Sequence, residues 1–377
     1  MTMSLPATLT ERINKIVRKK EEAIQYGPIG IDLGPNGLRM VQFRKNGSTL
    51  ELHASAYIAT TGEQRASSGE LRALIKPLLK ENSFVGREIV TCMQPEDVKI
   101  LMLSFMHQAD KKDEELIVQR VVERIDDNIA DYVIDFMMVR PDVGNGQERS
   151  VLVALSRHDE VIDYLEHLRK VGLTVKVLEI EPTAVRRLIS VKHGSEHDAN
   201  LMTISMGCAQ TYITVLSGRR LIYERDIDFG EVQLIAMLCK ELDIDEREAR
   251  TMLERGKTTN DTDAIADTDG AEQNIPVTDA FYSVLKPLFM ELVEDINRAL
   301  IYAASETRGV PVKHVYLTDR VATWHGIENF INTLIEVPVS VMTPYEGFEN
   351  AEMFNADSGP RSAVVTGMAL HGLTEYG

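Results

Sequence analysis

The strongest constraint on this chain is a pattern that occurs twice. Ile29-Gly30-Ile31-Asp32-Leu33-Gly34 is an apolar run that ends in an acid and a glycine, breaks at the turn signal Pro35-Asn36-Gly37, and resumes to Phe43 with apolar and polar residues alternating. This is the signature of a β-hairpin, and its tip carries one carboxylate. About halfway along, Leu201 to Leu216 repeats the build around Gly207. Two glycine-tipped hairpins, each opening one half of a 377-residue chain, predict a duplicated architecture.

A chain of this length can bury two cores of ordinary domain size. Its charge narrows the choice of partner: 41 Lys and Arg against 58 Asp and Glu leave a net −17. A duplex nucleic-acid binder needs clustered cations to neutralise phosphates, so the expected partners are proteins or small molecules and not nucleic acid. Cys92, Cys208 and Cys239 lie far apart, without metal-ligand spacing. They read as free thiols of a reducing compartment, which points to the cytoplasm. No apolar run approaches the roughly 20 residues of a bilayer-spanning helix, and residues 1–27 lack a signal-peptide apolar region.

Thr8 to Ile24 places Leu9, Ile13, Ile16, Val17 and Ile24 on one helical face, with Arg12, Lys15, Arg18 and Lys19 largely elsewhere. This basic amphipathic helix packs on its own domain or docks on a partner or an anionic lipid surface. After the first hairpin the periodicity predicts a strand over 48–59, a helix over 68–80, strands over 88–93 and 98–105, a helix over 113–127, and strands over 132–140 and 149–156. A helix over 159–171, closed by Gly172, leads to a strand and helix over 173–193, and residues 194–200 form the natural domain boundary. The second half adds a strand over 221–227, helices around 230–242 and 245–255, and a polar loop over 258–274. A long helix over 278–307, interrupted by Pro287, follows. A strand over 312–318, a helix over 324–335, a strand over 337–342 and a small-residue helix over 362–372 complete the chain.

The order of these elements resembles the actin-like ATPase superfamily, shared by sugar kinases, Hsp70 and FtsA, and most closely its type IV pilus assembly branch, the PilM family. The Ile29–Phe43 hairpin matches the first phosphate loop and Ile204–Val215 the second. Glu181-Pro182-Thr183-Ala184 is similar to the first connecting motif, and Gly367 with Ala369 falls where the second connecting helix belongs. Leu103 to Arg140 looks like the inserted subdomain of the pilus branch, and Arg225-Asp226-Ile227-Asp228-Phe229-Gly230 follows the second hairpin as it does there.

The resemblance implies an α/β, actin-like (ribonuclease H-like) two-lobed fold. It divides into an N-terminal extension over 1–27, a first lobe over 28–194 with an inserted αβ subdomain at about 98–150, and a second lobe over 195–377. It also implies ATP with Mg as the cofactor pair. Asp32 would organise the metal, Gly34, Asn36, Gly37, Ser205, Gly207, Gln210 and Thr211 would line the nucleotide, and Glu181 would orient the attacking water. Read from local sequence alone, Asp32 serves equally as the residue that stabilises the turn, and Glu181 as a helix cap.

Two departures weigh against productive hydrolysis. The second loop opens with Ser205 where nucleotide-binding members carry Asp. The glycine pair of the adenosine turn is replaced in Tyr316-Leu317-Thr318-Asp319-Arg320-Val321, and a Cβ there blocks close approach of the backbone to a nucleotide. The expected function is therefore a cytoplasmic scaffold, peripheral to the inner membrane, of a pilus or type II secretion-like assembly platform, with weak or lost ATPase. It would bind the cytoplasmic peptide of an inner-membrane partner beside Leu103, Phe105, Met137 and Met138, associate with the membrane indirectly or through the N-terminal helix, and be open to homo-oligomerisation. The alternatives are an active Mg-ATPase, or an FtsA-like filament former, although Leu373 to Gly377 offers no amphipathic anchor.

Overall fold

The computed structural model describes residues 24–34, 37–59, 67–139, 148–193, 199–255, 277–357 and 359–374. The N-terminal amphipathic helix up to its last residue, Asn36 and the polar loop over 258–274 lie outside them.

The first sheet is built from β1 (Gln25–Gly34), β2 (Gly37–Asn46), β3 (Thr49–Ala59), β4 (Glu88–Cys92) and β8 (Thr174–Glu179), in the order β3-β2-β1-β4-β8. The second holds β9 (Asn200–Met206), β10 (Thr211–Ser217), β11 (Arg220–Ile227), β12 (Val312–Thr318) and β13 (Val339–Val341), in the order β11-β10-β9-β12-β13. In each, the first three strands form an antiparallel meander and the last two run parallel to the central strand. The duplication expected from the paired hairpins is therefore present strand for strand.

Both sheets are covered on both faces, so their central strands are buried on both sides, Gly27 to Ile31 in β1 and all of β9. One face of the first sheet, with Ile29, Ile31, Leu38 and Met40, packs on α1 (Ser68–Glu81) and α3 (His158–Val171). The far face of the second sheet packs on α5 (Glu231–Leu242), α6 (Glu246–Arg255), α7 (Val277–Glu306) and α8 (Ile327–Asn332). Between the sheets lie α4 (Glu181–Lys192) and α9 (Ala363–Ala369), in one core that draws Val41, Phe43 and Val90 from the first sheet and Leu201, Tyr212 and Leu216 from the second. Full burial of side chains of this size contributes about 1.5–3 kcal/mol each.

The crossing of α4 and α9 has almost no side-chain spacing. A Cβ on Gly367 would stand 1.9 Å from the Ala184 carbonyl oxygen, and one on Gly30 of β1 would stand 2.4 Å from the Val365 oxygen. Beside the crossing, Arg187 donates from both ends of its guanidinium to the Glu179 carboxylate (3.0 and 2.6 Å) and also to the Gly367 carbonyl (2.9 Å). His371 closes the cluster with a 3.0 Å contact from Nδ1 to Glu179.

Between β4 and α3 the chain forms a third, smaller sheet in the order β5-β7-β6, from β5 (Lys99–Met106), β6 (Tyr132–Met138) and β7 (Glu148–Arg157). The helix α2 (Asp113–Val122) seals one of its faces through Leu116, Ile117 and Val121. This is the inserted subdomain, and β7 runs on to Arg157. Two predicted helices are shorter than their periodicity: α2 stops at Val122, and Val321–Thr323 forms a separate 3-10 turn before Gly326, whose left-handed φ of 76° allows α8 to start only at Ile327. Among the described residues no helix is long and apolar enough to cross a membrane.

Candidate functional site

The two hairpin tips, the start of α4 and the end of β12 meet at the crevice between the sheets. From the first hairpin comes Asp32, opposite Arg39 in the β1–β2 register, with an Arg39 Nη1 to Asp32 Oδ2 distance of 4.0 Å. Gly34 and Gly37 are register partners at the tip, and Gly37 is backed by Tyr57 and Ile58 of β3. Burial pushes the Asp32 carboxyl above its ordinary range, and Arg39 opposes the shift.

Glu181 opens α4, one residue before Pro182. Its carboxyl is raised well above the usual range, first by burial and then by the charges of Asp319, Asp32 and Glu96. Asp319 follows β12 in a left-handed conformation (φ 70°) that glycine adopts freely and Asp tolerates. Burial, and after it Asp32, raise its carboxyl to about 6 against the pull of Arg320, Arg361 and Arg39. Three acids from three separate parts of the chain thus converge on the crevice, where Asp32 and Asp319 disfavour the charge on Glu181 and Asp32 that on Asp319.

At the second hairpin tip the backbone is already in use. The Gly207 N–H donates to Gln210 O (2.9 Å), while the carbonyls of Gly207 and Cys208 accept from Glu231 and Val232 at the start of α5 (3.0 and 2.9 Å). Thr211 Oγ1 donates to Phe229 O at 2.7 Å, the Gln210 side chain accepts from Tyr212 Oη at 3.4 Å, and Ser205 is buried. A Cβ on Gly207 would lie 2.9 Å from Asp319 Oδ2, so the acid stands against the tip. Behind it, buried Glu231 accepts from both Arg320 and Arg250.

Of the residues expected to line a nucleotide, the structure brings Asp32, Glu181 and the Gly207 tip together. Thr211 is committed to the fold, and Asn36 lies outside the described residues. Sequence reading missed Glu231 and Arg250 altogether and saw Asp319 and Arg320 only as lost glycines; their burial against one another depends on α5 and α6 packing beside β12.

A Mg-nucleotide does not fit this set as it stands. A phosphate at the second tip would meet the Asp319 carboxylate where bare backbone is required, and the adenosine turn is filled by the Arg320–Glu231–Arg250 cluster.

The inserted sheet divides the four residues expected to contact a partner. Leu103 and Phe105 are 6% and 3% exposed and belong, with Met138, to the core sealed by α2. Met137 alone turns to the opposite face, where Met102 joins it against the central core.

Two sheets of equal strand order, joined by crossed helices and facing each other through paired hairpin tips, define an actin-like ATPase fold. The chain belongs to the type IV pilus assembly protein PilM family, whose family model matches residues 30–373. It is similar in structure to a chain of a PilM-PilN type IV pilus biogenesis complex, with a TM-score of 0.72, 22% identity, and coverage of 92% of this chain and 99% of that one. The ethanolamine utilization protein EutJ from Carboxydothermus hydrogenoformans shares the fold at a TM-score of 0.52 and 14% identity, over 92% of this chain and 90% of its own.

Proposed function

We propose that this chain is a cytoplasmic scaffold of a type IV pilus or type II secretion-like assembly platform, peripheral to the inner membrane. It docks the cytoplasmic segment of an inner-membrane partner on its inserted subdomain and has lost the ATPase chemistry of its fold. The observation that carries the docking is the asymmetry of the β5-β7-β6 sheet: one face is sealed by α2, while the other, whose Met102 and Met137 pack half-buried against the central core, leaves Met106 and Val133 47% and 40% exposed towards its two ends. Methionines adapt to an irregular peptide surface at little rotameric strain, and a free strand edge can accept an extended segment. The structural neighbour from a PilM-PilN type IV pilus biogenesis complex supports a partner of that kind for this chain.

A fluorescence anisotropy titration with the cytoplasmic peptide of the PilN-type partner tests it. Met106→Glu and Val133→Glu place a charge on the exposed part of that face and should each weaken binding by about tenfold or more, the scale of burying an uncompensated charge. Affinity unchanged in both variants would sink the docking assignment. For the lost ATPase, supported by the crowding of Asp319 against Gly207, calorimetric titration with Mg-ATP should give no heat of binding. Micromolar binding abolished by Asp32→Ala would restore the enzyme reading, in which Asp32 and Glu181 act together around a cation.

A further inference from the structure

We propose that the crevice wall beside the carboxylates binds a small oxyanion, of phosphate or polycarboxylate type, between Arg39 on β2 and Arg361 just ahead of α9. The proposal rests on the reading of the crevice as no longer a Mg-nucleotide site.

A cavity of about 340 Å3 lies here, lined among others by Arg39, Tyr57, Glu254, Thr323 and Arg361, a size at the lower end of small-molecule sites. Its two arginines are poorly matched by the protein. The Arg39 guanidinium sits 4.5 Å over the Tyr57 ring, and its acid partner is at 4.0 Å. Arg361 reaches Glu254 only at 3.8 Å and Thr323 Oγ1 at 3.4 Å, and its Nε is buried without a hydrogen-bond partner. The buried Nε is shared with Arg187 and Arg320, but Arg187 holds its carboxylate at 2.6 Å and Arg320 is hydrogen-bonded to Glu231, whereas Arg361 has no acid that close. Arg39 and Arg361 therefore have donors to spare in a partly enclosed space.

Electrostatics points the same way. Burial, then repulsion from Arg320 and Arg39, pushes the Arg361 guanidinium below its ordinary range. An anion between the two forks would relieve that repulsion and match the planar geometry of guanidinium. Glu254 is the one acid among the lining residues, and its side chain is 52% exposed; Asp32 and Asp319 do not line the cavity. Because Arg39 belongs to the first sheet and Glu254 and Thr323 to the second half, such a ligand would touch both halves of the molecule.

The test uses the full chain in metal-free, low-salt buffer with chelator. Sodium pyrophosphate is titrated in one arm and citrate in the other, read by fluorescence of Trp324, the chain's single tryptophan and the neighbour of Thr323, and by the shift in melting temperature. Saturable binding of at least one anion is expected; which of them binds identifies the phosphate or the carboxylate source. Arg39→Gln and Arg361→Gln should each weaken it about tenfold, the scale of one lost charge-assisted hydrogen bond. Glu254→Gln, which leaves both guanidiniums in place, should tighten it. No saturable response in the unaltered protein, or an affinity unchanged from the unaltered protein in both arginine variants, overturns the proposal. So does loss of binding in Glu254→Gln. The peptide titration is independent of all of these, so a failure here leaves the scaffold reading standing.

Discussion

Asp319 shows how much one side chain decides in this crevice. A carboxyl raised from 3.8 to about 6 on folding keeps its proton more tightly in the native state. The folded protein then binds more protons than the unfolded one between those two values, so this group's contribution to stability falls as pH rises from about 4 to 6 and stays low above that. Two units correspond to a ceiling of about 3 kcal/mol, and solvent at the crevice mouth reduces it. Asp319→Asn keeps a residue that tolerates the left-handed backbone and removes the charge. It should therefore gain about 1–2 kcal/mol at pH 7 in urea denaturation, a gain that disappears near pH 4. Equal effects at both pH values would contradict the assigned cause. The sequence disclosed that a glycine had been lost here, but nothing local disclosed that the replacement faces Asp32, because the two residues meet only after both sheets have formed.

At the scale of elements the hairpins, their order and the connecting helices were legible, since period-two and period-3.6 patterns report local structure directly. The extent of α8 was not: Trp324 to Ile335 carries a helical pattern, yet Trp324 belongs to the preceding turn and the core claims its ring. Leu103 and Phe105 were visible as apolar strand residues, but which face α2 would cover is a tertiary choice that alternation alone does not make. The α4–α9 crossing gives the clearest element-level prediction. Alanine is favoured over glycine within a helix by about 1 kcal/mol, so propensity alone would make Gly367→Ala stabilising. Its methyl group would fall 1.9 Å from a backbone oxygen that no rotamer can move. Overpacking of this kind costs about 1–3 kcal/mol or more, and the net result should be a loss of at least about 2 kcal/mol in thermal or chemical denaturation. A variant as stable as the parent would show that the helices can part freely.

On the scale of the whole molecule, one core runs through both halves. Phe43 and Val90 share it with Leu201 and Tyr212, and α4 and α9 lie between them. The halves are therefore joined at one side and face each other across charged lips on the other. Asp32 is carried by the first hairpin and Asp319 by the end of β12, with Glu181 between them on α4; Asp32 and Asp319 both raise the Glu181 carboxyl, and Asp32 raises that of Asp319. Repulsion among these acids across the crevice favours its opening, and protonation weakens it. The radius of gyration from solution X-ray scattering should accordingly shrink between pH 8 and pH 5, and shrink less in Asp319→Asn. A radius indifferent to pH in both proteins would mean that the joined side is too stiff for the rim to bend. If it does bend, acidity sets the resting gape of this molecule.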